Sequence, residues 1–235
     1  MSDYFVKFNA IDNDYICTDK HIHSSWTDGG STVLEVAKKA SERGLKQIAI
    51  ADHVRSYSSY FTKYAEEINR ASRKSGLEIL IGFEAKIKNF DGDIDAPASV
   101  MKRAQIKVAS VHRFPLGRKL YFPKDFNKKI CQEIELELSL SALKNGGFNV
   151  LGHPGGMSLE AHGEFPNNFF GEIILQCKKN NIAFELNSRY HRRVLKKIIP
   201  LLSRHNVLVS LGSDAHTLQE IGNWVGIFSR CKWVK

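Results

Sequence analysis

Seven times along the chain a short apolar run ends in polar side chains and gives way to a segment with helical spacing. The runs lie at residues 15–18, 47–51, 78–82, 107–111, 149–152, 182–186 and 207–212. They are brief, rich in Val, Ile and Leu, and nearly continuous, which predicts parallel strands buried on both faces. Helical spacing fills the intervals at 32–43, 61–75, 98–104, 126–144, 169–180 and 192–205. In the first of these, Val33, Leu34, Val36, Ala37 and Ala40 are predicted to form one inward stripe. Gly44, Gly76 and the Gly146–Gly147 pair fall where C-terminal caps belong.

Strands alternating with helices build either an open doubly wound sheet or a closed barrel. An open sheet gathers its site at one switch point, whereas a barrel collects residues from loops all around a ring. Here polar clusters follow nearly every strand, which selects an α/β fold of the closed kind: a distorted, TIM-like (β/α)7 barrel. The 235 residues are close to the ~250 usual for such barrels. No low-complexity stretch, linker or repeat interrupts them, so residues 1–235 are expected to form a single domain with its core at about 15–220.

The first fifteen residues lack a basic stretch followed by an apolar one, so no secretory signal is expected. No run approaches the ~18 apolar residues needed to span a bilayer, and no membrane partner is expected. Cys17, Cys131, Cys177 and Cys231 are scattered, the pattern of free thiols in a reducing compartment. A cytoplasmic location follows as the expectation. Lys and Arg exceed Asp and Glu by 34 − 25 = +9. That balance favours anionic partners, phosphorylated small molecules or nucleic acid, without choosing between them.

Six of the nine histidines sit at the ends of the predicted strands. His21 and His23 are two apart, so both side chains reach the same side. Asp28 follows in the turn Thr27-Asp28-Gly29-Gly30. Asp52-His53 closes the second strand; neighbours on a strand face opposite ways, so His53 is the expected ligand and Asp52 the group that orients it. Glu84 closes a strongly apolar strand, where an unpartnered carboxylate would be expensive. His112, His153 and the pair Asp214 and His216 complete the set. Glu185 and Asn187 share a face and are expected to hydrogen-bond across the barrel. Nine nitrogen and oxygen donors with no cysteine among them suit hydrolytic Zn²⁺, Mn²⁺ or Fe rather than structural zinc, and exceed the needs of one ion.

In this order and at strand ends, HxH, TDG, DH, GxE, SVH, GHP and SDAH resemble the PHP (polymerase and histidinol phosphatase) family. The likeness covers about residues 15–220. It implies a trinuclear metal site and phosphoesterase activity. Carried over position by position, it implies one ion on His21, His23, Glu84 and Asp214. A second would share Glu84 and sit on His112 and His153, and a third on Asp28, His53 and His216. Lys20 replaces the apolar residue usual before the first histidine and is expected to face away from the site. The stretch from Gly82 to His112 looks most like PHP domains attached to bacterial family X DNA polymerases and their standalone relatives.

Phosphate esters hydrolyse very slowly unaided. Water on a divalent ion is acidified from a pKa of ~15.7 towards ~7, which supplies hydroxide at neutral pH. Asp214 or His216 would accept the water's proton or protonate the leaving oxygen. Arg113 and Arg189, each just beyond a strand end, are the candidates for gripping the ester, and Arg118 a weaker one. Arg192, Arg193, Lys196 and Lys197 read as the polar face of an outer helix. The favoured activity is hydrolysis of small phosphomonoesters, of the histidinol phosphate type or related metabolites, with two or three divalent ions. The alternatives are a nuclease or 3′-end-processing phosphodiesterase and, in another class, a metal-stabilised binding module without turnover.

Overall fold

The computed structural model describes residues 4–117 and 119–228. Seven parallel strands form its centre: β1 (Thr18–Ile22), β2 (Gln47–Ile50), β3 (Glu78–Lys86), β4 (Ile106–Ser110), β5 (Val150–Leu151), β6 (Ala183–Asn187) and β7 (Leu208–Gly212). Each pairs with the next in chain order. The ring shuts at its C-terminal end, where the Asp214 amide donates to His21 O and the His23 amide donates to Ala215 O, both at 2.9 Å. At the other end Val6–Lys7 adds to β7 in antiparallel sense. Thus the α/β barrel read from the sequence is present, with closure concentrated where the polar clusters lie.

Alternation sorts the strand residues. Ala49, Ala51, Leu80, Ile106, Val108, Val150 and Ala183 pack together as one small cluster, joined by Phe5. Their neighbours, such as Ile48, Phe83, Phe184 and Leu211, pack in two larger clusters with the helices. Small residues admit the tight centre: a Cβ on Gly82 would lie 2.8 Å from Ile50 O.

The helices follow the sequence closely at Phe61–Ser75 and Ala98–Arg103. Val33–Glu42 starts at a capping box, in which Thr32 and Glu35 satisfy each other's backbone amides. Its inward stripe is narrower than expected: Val33, Val36, Ala37 and Ala40 are buried, but Leu34 is 43% exposed. Leu34 sits ~100° around the helix from Val33, which carries it past the edge of the buried face.

The first strand also starts later than the apolar pattern suggests. Residues Asn13–Ile16 form a helical turn, with Asp12 accepting from the Tyr15 amide. The strand is instead the polar run Thr18–Ile22, fully buried. Lys20 is buried with its ammonium on Thr18 Oγ1 at 2.9 Å and over the Tyr15 ring. Burial lowers its pKa to about 7, and no metal-ligand candidate contacts it. Cys17, Cys131 and Cys177 are free, while Cys231 and Arg118 lie outside the described residues. Among the described residues no helix is long and apolar enough to cross a membrane.

Candidate metal centre

All nine donors read from the sequence meet at the end of the barrel where the ring closes. Glu84 is at the middle. It is almost fully buried, inside β3 rather than at its end, because β3 pairs with β4 as far as Lys86. Its Oε1 lies 3.0 Å from His153 Nε2 and 3.2 Å from His112 Nε2, and its Oε2 lies 3.0 Å from His53 Nδ1. His21 Nε2 stands 3.6 Å from the same carboxylate. Asp214 Oδ1 is 3.1 Å from His23 Nε2. Half-exposed Asp28 approaches His53 Nε2 at 3.2 Å, His216 Nε2 at 3.4 Å and His23 Nδ1 at 3.5 Å.

Two donors arrive on strained backbone. His153 and Asp214 have φ of 30° and 55°, in the left-handed region that residues other than glycine seldom adopt. Such strain persists where surrounding structure enforces it, and commonly at functional sites. Asp214 is held there by its amide bond to His21 O, and His153 by its amide bond to Glu185 Oε2 at 2.6 Å.

A second layer fixes the rings. His21 Nδ1–H donates to Glu185 Oε1 at 2.7 Å, which leaves Nε2 as a lone-pair donor facing the centre. Asn187 donates to the other Glu185 oxygen at 3.0 Å, so the expected hydrogen bonding of this pair is present. His216 Nδ1–H donates to Asp214 O. Asp52 does not orient His53: its backbone carbonyl accepts from the Glu84 amide at 3.0 Å, and its carboxylate turns to the loop. It accepts from the Ser24 amide and hydroxyl and from Thr27 Oγ1, tying down the segment between His23 and Asp28.

Electrostatically, the cluster is a knot of acids and imidazoles that need cations. Burial alone would lower the pKa of His21 and His53, but Glu185 and Glu84 override it for His21, as Glu84 and Asp28 do for His53. His21 ends well above the usual imidazole value and His53 at about 10. Burial would likewise raise Glu84, and the imidazoles of His112, His21 and His53 hold it well below the carboxylate range. His216 and His53 depress Asp28 in the same way.

Protons satisfy this knot poorly. Nε2 of His21 and Nε2 of His23 face each other at 3.2 Å. Among the described residues the buried atoms His23 Nδ1, His112 Nδ1 and His153 Nδ1 have no hydrogen-bond partner, and His53 Nδ1 and Glu84 Oε2 face each other at 3.0 Å without the geometry of a hydrogen bond. Buried polar atoms are rarely left so. Three overlapping donor groups, each within 4.8 Å, could hold an ion: His23, Asp28, His53 and His216; His21, His23 and Asp214; and His53, Glu84 and His112. The donor set therefore fits divalent metal ions.

A family model for the PHP domain matches residues 19–189. The chain belongs to that family. A protein of Caldicellulosiruptor bescii named "probable phosphatase" is 30% identical over 198 residues, which is 80% of this chain and 74% of the relative. The Bacillus subtilis DNA polymerase/3′-5′ exonuclease PolX is 23% identical over 92% of this chain, which corresponds to 37% of that protein. Among solved structures, a candidate histidinol phosphatase of Listeria monocytogenes superposes with a TM-score of 0.70 at 21% identity. It covers 91% of this chain and all of the other, and shares the fold.

Around the centre of this PHP domain the arginines differ. Arg113 directly follows His112; its guanidinium stacks 3.2 Å from the Phe122 ring centroid, and its buried Nη1 has no partner. Arg189 is exposed and lies 5.6 Å from the Tyr190 ring centroid. Two buried groups carry no motif and escape a reading of sequence alone. His191 accepts from the Asn187 amide and donates to Pro154 O, joining the end of β6 to the turn that carries His153. Glu135, from helix Lys128–Asn145, accepts from the amides of Met157 and Ser158 at the start of helix Gly156–His162. Neither had a spacing signal, since each acts through backbone groups brought close only by folding.

Proposed function

We propose that the chain is a metal-dependent hydrolase of phosphomonoesters, working at a three-ion centre built from His21, His23, Asp28, His53, Glu84, His112, His153, Asp214 and His216. The observation that carries this reading is the crowding of buried imidazoles and carboxylates around Glu84, packed so that ring nitrogens face one another. Glu84, whose two oxygens face different rings, is the residue that two ions would share, while His23 and His53, where the donor groups overlap, would each serve one ion. Bound divalent ions supply Lewis acidity, activating water and neutralising phosphoryl oxygens.

The chain's own residues supply the rest. Arg113 offers a buried, unpaired nitrogen beside His112, a place for a phosphoryl oxygen. Arg189 offers a second guanidinium at the end of β6. Asp214, held on left-handed backbone and offering two carboxylate oxygens, is the group placed to move a proton. His216 keeps Nδ1 committed to Asp214 O, so its Nε2, directed towards Asp28, is the nitrogen that would hold an ion. The names of the relatives, phosphatases foremost, support hydrolysis of phosphoester bonds.

The test is a panel of phosphomonoesters, nucleotides and short oligonucleotides assayed with Mn²⁺ or Zn²⁺. Turnover of phosphomonoesters above all others is the expected result. A preference for oligonucleotide ends, with steeply salt-dependent binding, would move the chain to the exonuclease reading that its likeness to PolX raises. Ion uptake with no hydrolysis of any ester would make it a binding module.

A further inference from the structure

Beside the ligand cluster the surface opens into a cavity of about 680 Å³. Tyr190 is common to both: its ring lies 4.9 Å from that of His153 on one side and lines the cavity on the other. Ser188, whose amide donates to Gly212 O at the end of β7, and Glu160 also line it. So do Arg189, Arg192 and Arg193, three guanidiniums against one carboxylate. Arg192 and Arg193 are not on the outer helix face where the sequence pattern puts them. Helix Leu195–His205 begins after them, and they occupy the turn that leads into it. That turn is anchored by His191, fully buried and bonded at both ring nitrogens. Among the described residues none of the three arginines has a carboxylate within ion-pair distance, although Asp214, Glu160 and Glu220 act on Arg189 from further off.

We propose that this cavity is the leaving-group subsite and selects phosphomonoesters whose alcohol bears a second anion, a carboxylate or a further phosphate. The inference rests on the phosphomonoesterase reading and deepens it. With the phosphoryl group at the ligand cluster, the alcohol extends past Tyr190 into a space sized for a small metabolite. Guanidiniums bind carboxylate and phosphate through paired N–H bonds, and an unpaired set of three is an attractive field for such a group. The same field repels an ammonium, so selectivity comes from exclusion as well as attraction.

The experiment uses non-hydrolysable phosphonates on the Mn²⁺-loaded full chain, with dissociation constants measured by calorimetry. The probes are propylphosphonate, 3-phosphonopropionate, propane-1,3-bisphosphonate and 3-aminopropylphosphonate. The two doubly anionic probes are expected to bind at least about tenfold more tightly than propylphosphonate, as a charge-assisted pair predicts, and the aminated probe more weakly. The relative strength of the carboxylate and bisphosphonate arms tells which anion the cavity prefers. In Arg192→Ala/Arg193→Ala the preference should fall to within about threefold, and Arg192→Lys/Arg193→Lys should restore part of it. This comparison also cancels any affinity of the bisphosphonate for the ions themselves. Equal binding of the probes with and without a second anionic group by the wild type, no binding of any probe, or a preference that survives in the double alanine variant would overturn the inference. Hydrolysis of 3-phosphoglycerate, whose alcohol bears a carboxylate, and of glycerol 3-phosphate, whose alcohol does not, by the same preparation reports separately on the activity. No turnover with the binding preference intact defeats the phosphomonoesterase reading alone; turnover without the preference defeats the subsite alone.

Discussion

His21 is useful to the centre only while Glu185 holds its Nδ1 proton, because that bond decides which nitrogen is free. Glu185→Gln keeps the shape and weakens the acceptor. We expect a loss of roughly 10- to 100-fold in metal affinity with the fold intact, read by competition with a chromogenic chelator. Wild-type affinity in the variant would show that the ring is oriented by packing alone. His191 makes a different demand. Burial lowers its pKa to about 4, below the ordinary ~6.5, so the folded chain holds the neutral ring while the unfolded chain takes up a proton. Its contribution is complete above pH 6.5 and is lost as pH falls towards 4. Between pH 7 and 5 that amounts to about 2 kcal/mol of stability, which His191→Gln should remove from the pH dependence of urea unfolding. Equal slopes in the two proteins would refute it.

Between neighbouring strands, a missing side chain is what lets the rings meet. A Cβ on Gly212 would run into Glu185 Oε1 and lie 2.7 Å from His21 Cβ. Gly212→Ala should therefore displace the Glu185–His21 pair, costing about 1–3 kcal/mol by overpacking and weakening metal binding together. Thermal unfolding with and without Mn²⁺ checks both; a metal-induced rise in Tm equal to that of the wild type would contradict the coupling. The strands themselves were legible because Val, Ile and Leu runs announce them at six of seven places. The first was misplaced because Asp19, Lys20 and His21 are polar yet buried, each supplied with partners that only the folded barrel provides: Ser213 and Gly222 amides for Asp19, Thr18 for Lys20, Glu185 for His21. The nine donors were legible for the opposite reason, since strand-end histidines and acids at fixed spacing need no knowledge of distant contacts. Arg192 and Arg193 were misread because a helical spacing does not reveal that the helix starts at Leu195.

For the molecule as a whole, ion binding, proton release and stability are one equilibrium. In the ion-free chain Glu185 and Glu84 push the pKa of His21 upward, and Glu84 and Asp28 raise that of His53 to about 10, so His53 is protonated at neutral pH. Imidazole must lose its proton to bind a metal, so loading at pH 7.5 should release about one or more protons per chain, measurable in weak buffer with a pH electrode. Ion at a hundred times its dissociation constant should add about 2.7 kcal/mol of stability. The seven-stranded barrel matters here because it brings donors from residue 21 to residue 216 into one place, on the strands and in the turns just beyond them. The most direct measurement is phosphate release from p-nitrophenyl phosphate as Mn²⁺ is returned to chelator-treated protein, for the wild type beside His21→Ala/His23→Ala. Activity that rises with Mn²⁺ in the wild type and stays at background in the folded variant is the predicted result. Hydrolysis that persists in the variant, or in the wild type with the ions removed, would contradict the account.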